Sequence, residues 1–220
     1  MPVGASDSLL SKLDDLVLAR KRVKAGAILY HSGSHFHALY AVKSGFVKTE
    51  NLYDDGRAQI TGIYMSGEIF GFDGIGTDAH ICTSTALEDS EICVIPLNRI
   101  EHIGQNSEEL QHHFYKLMSR EIVRDHTIMM LLGSMRSEER LAAFLLNLSQ
   151  RYRARGYSPY RIVLRMKRDE IGNYLGMKVE TVSRILSKFQ DQELLEVHQK
   201  DIRILNFEGL KTQIGHYAGK

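Results

Sequence analysis

The stretch Arg168-Asp169-Glu170-Ile171-Gly172-Asn173-Tyr174-Leu175-Gly176-Met177-Lys178-Val179-Glu180-Thr181-Val182-Ser183-Arg184-Ile185-Leu186-Ser187 decides the fold of the C-terminal half. Two short helices that meet at a corner impose several demands at once. The first helix needs a small residue where the second crosses it, and Gly172 stands there. The turn needs positive φ four residues later, and Gly176 supplies it. Ile171, Leu175, Met177, Val182 and Ile185 fill the wedge between the helices. Together these offsets predict a helix-turn-helix. Its second helix should run over 179–190, with Val182, Ile185, Leu186 and Phe189 inward at three-four spacing.

That inward face leaves Glu180, Ser183 and Arg184 together on the outer face. The trio suits a DNA major groove. Arg184 can donate two bonds to guanine O6 and N7, Glu180 can accept from cytosine N4, and Ser183 can touch either base type. Lys178, Thr181 and Lys188 are candidates for phosphate contact. An exposed Glu–Arg pair on an ordinary helix is the bland rival. It explains less, because the opposite face is already committed to the core. Two apolar runs follow, 194–198 and 202–205, joined by Gln199-Lys200-Asp201. They read as a hairpin, which turns the motif into a winged helix.

Working outward, Ser137-Glu138-Glu139-Arg140 opens a helix over 141–152, and 161–165 alternates like a short strand. Charge divides near Gly133-Ser134. Residues 1–133 carry 12 Lys/Arg against 17 Asp/Glu, and residues 134–220 carry 16 against 10. An acidic front and a basic back suggest that the back faces a polyanion.

The front half has a different rhythm. Nine of the 18 glycines fall between Gly26 and Gly76, separating short apolar runs at 27–30, 38–42, 46–47 and 58–65. Lys43-Ser44-Gly45 and Asp54-Asp55-Gly56 are turn chemistry. Further strands are expected at 84–87 and 91–95, the last stopped by Pro96, and a short helix at 8–18. This spacing predicts a β-roll. From Asn106 no Gly or Pro appears until Gly133, so a 27-residue helix is expected over 106–132. Tyr115, Met118, Ile122, Asp125, Met129 and Leu132 follow a seam spacing, while Leu117, Ile128 and Leu131 form a second stripe for the roll. A homodimer seam is the reading. Asp125 would face its own copy there and weaken the pairing. The fold class is α+β: a β-roll over 1–105, a dimerisation helix over 106–133 and a winged helix-turn-helix over 134–220.

Composition narrows the function. With 43% apolar and 25% charged residues the chain is an ordinary globular one. No apolar run reaches the ~18 residues of a membrane helix. The start, Met1-Pro2-Val3-Gly4-Ala5, is neither a signal nor a transit peptide, and two cysteines give no disulfide framework. A cytoplasmic location is expected. No G-x-S-x-G, P-loop, H-E-x-x-H or strand-borne G-x-G-x-x-G motif is found, so no enzyme is expected.

The chain resembles the CRP/FNR family of bacterial transcription regulators over nearly its whole length, and the FNR branch fits best. The resemblance rests on Gly67-Glu68-Ile69-Phe70-Gly71-Phe72-Asp73-Gly74-Ile75-Gly76, on Glu138-Glu139-Arg140-Leu141-Ala142-Ala143-Phe144, and on 172–184 of the helix-turn-helix. It implies a cyclic-nucleotide-binding-like roll and a homodimer on double-stranded DNA. In that branch Glu, Ser and Arg at the places of Glu180, Ser183 and Arg184 read an inverted TTGAT repeat. Activation through RNA polymerase is implied as well, with Phe72, Asp73 and Gly74 as candidate contacts.

Cyclic AMP itself is not expected. No Lys or Arg occurs between Arg57 and Arg99, while six acids do, so a phosphate would meet net negative charge. FNR-like oxygen sensors hold an iron–sulfur cluster on four thiolates. Cys93 matches the one in the roll, but the three N-terminal cysteines are absent, so a cluster is possible only in a longer native chain. No cofactor or metal is expected on the chain as given. Cys82 matches no ligand role. His35 and His37 share a strand face, while His112 and His113 diverge on the long helix. A haem- or small-ligand-responsive regulator is the alternative, and a ligand-binding module whose winged helix contacts protein is the reading from another class.

Overall fold

The computed structural model describes residues 16–53, 55–104 and 107–214. By packing, the chain divides into two compact units between Arg124 and Asp125. The long helix is therefore shared by both units instead of standing as a segment of its own. At ~1.5 Å per residue, its 27 residues outrun the core of one unit.

The first unit holds two four-stranded antiparallel sheets. One runs in the order β1 (Ala19–Val23), β8 (Ser90–Pro96), β3 (Ala38–Ser44), β6 (Ile69–Phe70). The other runs β2 (Ile28–Tyr30), β7 (Thr83–Ala86), β4 (Phe46–Leu52), β5 (Ala58–Met65). A helix, α1 (Leu97–Gly104), follows β8 directly. The β4–β5 hairpin forms where Asp-Gly chemistry places it, with Gly56 at φ 82°. Gly45 is obligatory for a second reason beyond its φ of 97°. A Cβ there would lie 2.1 Å from Ser90 Oγ.

Strand β1 is absent from the sequence expectation. Arg20, Lys21 and Arg22 occupy its exposed centre and mask it, as suits an edge strand that must not pair further. Pro96 ends β8 as expected, itself in register opposite Ala38. Most of the helix expected at 8–18 lies outside the described residues. Leu16 is buried in one apolar cluster with Phe36, Leu39, Ile69, Ile95 and Leu110. Phe72, Phe114 and Leu117 pack against that cluster.

A second cluster fills the interior of the roll with Tyr30, Val42, Val47, Tyr64, Phe70, Cys82 and Ile92. Its polar edge is a knot around Asp73. The carboxylate accepts from the N–H of Ile81 (2.8 Å), the N–H of Cys82 (3.2 Å) and the Cys82 thiol (3.2 Å). His80 Nδ1 stands 3.4 Å away, and its ring stacks on Tyr30 at 3.6 Å. Burial works against the Asp73 charge, but the hydrogen bonds outweigh it and hold the carboxyl below its ordinary 3.8. Burial and the neighbouring Asp73 charge push the Cys82 thiol up to about 12.

Helix α2 (Glu108–Ser134) passes through Gly133, so the expected boundary at Gly133-Ser134 moves to Met135-Arg136. A Cβ on Gly133 would meet nothing within 4 Å, and the lone glycine costs too little to end a long helix. Leu131 is buried, and both it and Ile128 fall in the second unit.

The second unit continues with α3 (Ser137–Arg153), β9 (Arg161–Val163), α4 (Arg168–Tyr174), α5 (Val179–Asp191), β10 (Leu195–His198), β11 (Asp201–Ile204) and α6 (Phe207–Thr212). The carboxylates of Glu139 and Glu170 each accept from the backbone N–H three residues back, closing the starts of α3 and α4. Strand β9 is shorter than the expected 161–165 and joins the wing as its third strand, with Ile162 opposite Ile202.

Asp73 gives a pH prediction. Its depressed carboxyl contributes stability that is present above the unfolded value near 3.8 and is lost as pH falls through the lower folded value. Asp73→Asn should remove that component of acid unfolding, followed by circular dichroism. Asp73→Ala should cost about 1–3 kcal/mol at pH 7 in a urea melt, because two backbone N–H groups lose their acceptor.

Candidate nucleic-acid interface

The corner between α4 and α5 is built on a backbone approach. Met177 N donates to Gly172 O at 2.8 Å, and a Cβ on Gly172 would lie 2.6 Å from Met177 O. No larger residue fits there. Gly176 takes φ 61°. Ile171, Leu175, Val182 and Ile185 are buried as the wedge requires, and Met177 is half-buried.

On α5, Val182, Ile185, Leu186 and Phe189 are buried. Glu180, Ser183 and Arg184 are all exposed, so the core has no claim on them. Ser183 Oγ donates back to Val179 O at 3.1 Å, leaving its lone pairs outward. Lys178 caps α5 in an extended conformation and is exposed, while Thr181 is half-buried. Lys188 differs from expectation. Its ammonium pairs with Glu138 of α3 at 2.6 Å, so it braces the recognition helix against its neighbour. Beside that brace lies a half-open hollow of ≈ 340 Å³, lined by Arg136, Ser137, Glu138, Glu139, Arg184, Ile185 and Gln213.

The wing adds cations that sequence reading did not single out. Arg161 forks onto Asp201 at 2.6 and 2.9 Å, stiffening the sheet from its edge. Arg168 Nη2 donates to Gln199 O at 3.0 Å and ties the first helix of the motif to the wing tip, where Gln199 takes φ 55°. Arg140 was also missed. The signal available for it was its place in the first turn of α3, which does not reveal what a side chain reaches.

The expected polymerase residues turn inward. Phe72, Asp73 and Gly74 form a 3₁₀ turn. Phe72 packs on Phe114 at 5.9 Å, Asp73 holds the knot described above, and a Cβ on Gly74 would lie 2.5 Å from Phe36. The exposed residues of this loop are Gly76, Thr77 and Asp78. On α2, Tyr115, Ile122, Asp125 and Met129 are exposed, and Met118 and Leu132 are half-buried. Leu132 faces the helix-turn-helix corner, 3.2 Å from where a Gly176 Cβ would be.

The roll does not suit an anionic nucleotide. Gly67 N donates to Val42 O, and the Glu68 carboxylate accepts from Met65 N, so this loop closes on itself. Tyr30, Tyr40, Tyr64, Phe70 and His80 pack as a ring cluster inside. The two thiols stand in different surroundings. Cys82 is spent on Asp73, and burial pushes the Cys93 thiol up. Among the described residues no group of three or more His, Cys, Asp or Glu is placed to hold a metal. His35 and His37 do meet, but their rings lie parallel at 4.4 Å, so their in-plane lone pairs do not converge. No helix among the described residues is long and apolar enough to cross a membrane.

Comparison with known proteins accords with this geometry. Residues 139–213 match the Crp-like helix-turn-helix domain, and residues 20–107 match the cyclic nucleotide-binding domain. The transcriptional regulatory protein Btr of Bordetella pertussis is 48% identical, over 98% of this chain and 89% of that protein. The chain belongs to the CRP/FNR family of transcription regulators. The transcriptional activator protein Anr of Pseudomonas protegens is 40% identical over 94% of this chain and 84% of its own length. The solved structure of FixK2 from Bradyrhizobium japonicum superposes with a TM-score of 0.84 at 25% identity, covering 91% of this chain and 98% of that one. This CRP/FNR protein is thus a DNA-binding transcription regulator of the FNR type and not an enzyme.

The Gly172 approach has a measurable consequence. Gly172→Ala places a methyl against the Met177 carbonyl and should destabilise the winged helix by about 1–3 kcal/mol, read from urea unfolding. A variant as stable as the parent would show that the corner can open without cost.

Proposed function

We propose that this regulator acts as a cytoplasmic homodimer on an inverted TTGAT-type repeat, reading bases with Glu180, Ser183 and Arg184. The observation that carries the reading is the division of α5: one face buried, and this polar trio exposed on the other. Lys178 and Thr181 at the start of the helix are the phosphate contacts. Lys188 contacts phosphate only by leaving Glu138. Pairing of two copies runs along α2 through Tyr115, Met118, Ile122 and Met129, with Asp125 among them, while Leu132 packs on the helix-turn-helix corner of its own chain. The exposure of Tyr115, Ile122 and Met129 at 55%, 55% and 69% supports this, since such side chains rarely line one solvent face for no purpose.

The protein activates transcription by contact with RNA polymerase. The inward-turned Phe72, Asp73 and Gly74 shape the loop, and the exposed tip at Gly76, Thr77 and Asp78 presents it. Activation is supported by the likeness to a protein named as a transcriptional activator.

Arg184→Ala should cost about 1–3 kcal/mol of binding, concentrated on the cognate sequence, in titrations of matched and mismatched duplexes. A loss equal on all sequences would reduce Arg184 to a backbone contact. Asp125→Ala should tighten dimerisation, measured by analytical ultracentrifugation. An unchanged constant would place Asp125 outside the seam.

A further inference from the structure

Arg140 belongs to α3, and its backbone is fixed by the first turn of that helix, where its N–H donates to Arg136 O at 2.9 Å. Its guanidinium leaves α3 altogether. Nη2 donates to Leu132 O at 2.7 Å, and Nε donates to Met135 O at 2.9 Å. Nη1 donates to Leu175 O at 3.1 Å and lies 3.3 Å from Gly176 O. The first pair of carbonyls ends the long helix α2, and the second pair ends α4 at the corner of the helix-turn-helix.

Each helix end leaves carbonyls without partners and carries partial negative charge. Two such ends brought side by side repel unless a cation sits between them. One planar fork with five N–H groups can serve both, and a lysine ammonium cannot span them. Gly176 is part of the same device. A Cβ there would approach Arg140 Nη1 to 3.2 Å, so the glycine admits the guanidinium as well as the positive φ. Three residues beyond Gly176, the recognition helix begins at Val179.

We propose that Arg140 is the positioning residue that sets the direction of the recognition helix relative to the end of the long helix. This rests on the homodimer reading above. If α2 joins two copies, the direction of each α5 from α2 fixes the distance between the two reading faces. Arg140 thereby selects the spacing of the two half-sites and leaves the choice of bases to Glu180, Ser183 and Arg184.

The full chain carrying Arg140→Lys tests this, beside the wild type, on duplexes with inverted TTGAT repeats in a series of spacings that differ by two base pairs. The wild type should prefer one spacing. In Arg140→Lys that preference should shrink by about 3- to 30-fold, while discrimination against a mismatched half-site stays as in the wild type. Gly176→Asn keeps a residue that tolerates positive φ but crowds the guanidinium. It should give the same loss, and the double variant should lose no more than either single one. An unchanged spacing preference in Arg140→Lys overturns the proposal. So does a loss of base discrimination in step with a lower unfolding temperature, which would make Arg140 only a stabiliser of the fold. A wild type that binds such duplexes without any spacing preference overturns the dimer reading itself.

Discussion

The second unit depends on one close approach, where α4 and the chain entering α5 meet at Gly172 with no side chain between them. Backbone touches backbone there, and the wedge residues Ile171, Leu175, Val182 and Ile185 close around it. That contact spends Val182, Ile185, Leu186 and Phe189 of α5 on one side. Apart from Val179 at the start of the helix, what remains outside is polar. The exposure of Glu180, Ser183 and Arg184 is thus a consequence of the corner, and it is this exposure that supports the proposed DNA-reading role.

The parts around the corner are also tied by ions and carbonyls, beside the apolar core. Glu138 and Lys188 brace α3 to α5, Arg168 ties α4 to the wing tip, and Arg140 joins the ends of α2 and α4. Each of these links crosses between elements distant in sequence. Together they tie α2, α3, α4, α5 and the wing to one another. In the first unit the Asp73 knot plays a comparable part, fixing a loop by three hydrogen bonds onto one carboxylate with His80 Nδ1 beside it.

Much of the fold was legible in the chain because its demands are local. Glycine at positive φ, three-four spacing on α5 and Asp-Gly between two strands each bias the backbone wherever they occur. Strand β1 was hidden because Arg20, Lys21 and Arg22 carry no alternation to read, and only the partner strand β8 makes them a strand. The helix end at Gly133 was misplaced because one exposed glycine is a weak breaker in a long helix. Phe72, Asp73 and Gly74 stand in the stretch that carried the family resemblance, which says nothing of which way a side chain turns.

The order of residues by itself determined the roll, the long helix, the winged helix-turn-helix and the trio on its outer face, because periodicity and turn chemistry act over a few neighbouring positions. Only the tertiary structure decided that Lys188 is engaged, that Asp73 looks inward and that Arg140 bridges two helix ends. Those outcomes rest on partners up to some fifty positions away, and a long flexible side chain reveals its partner only once the backbone has brought the two together.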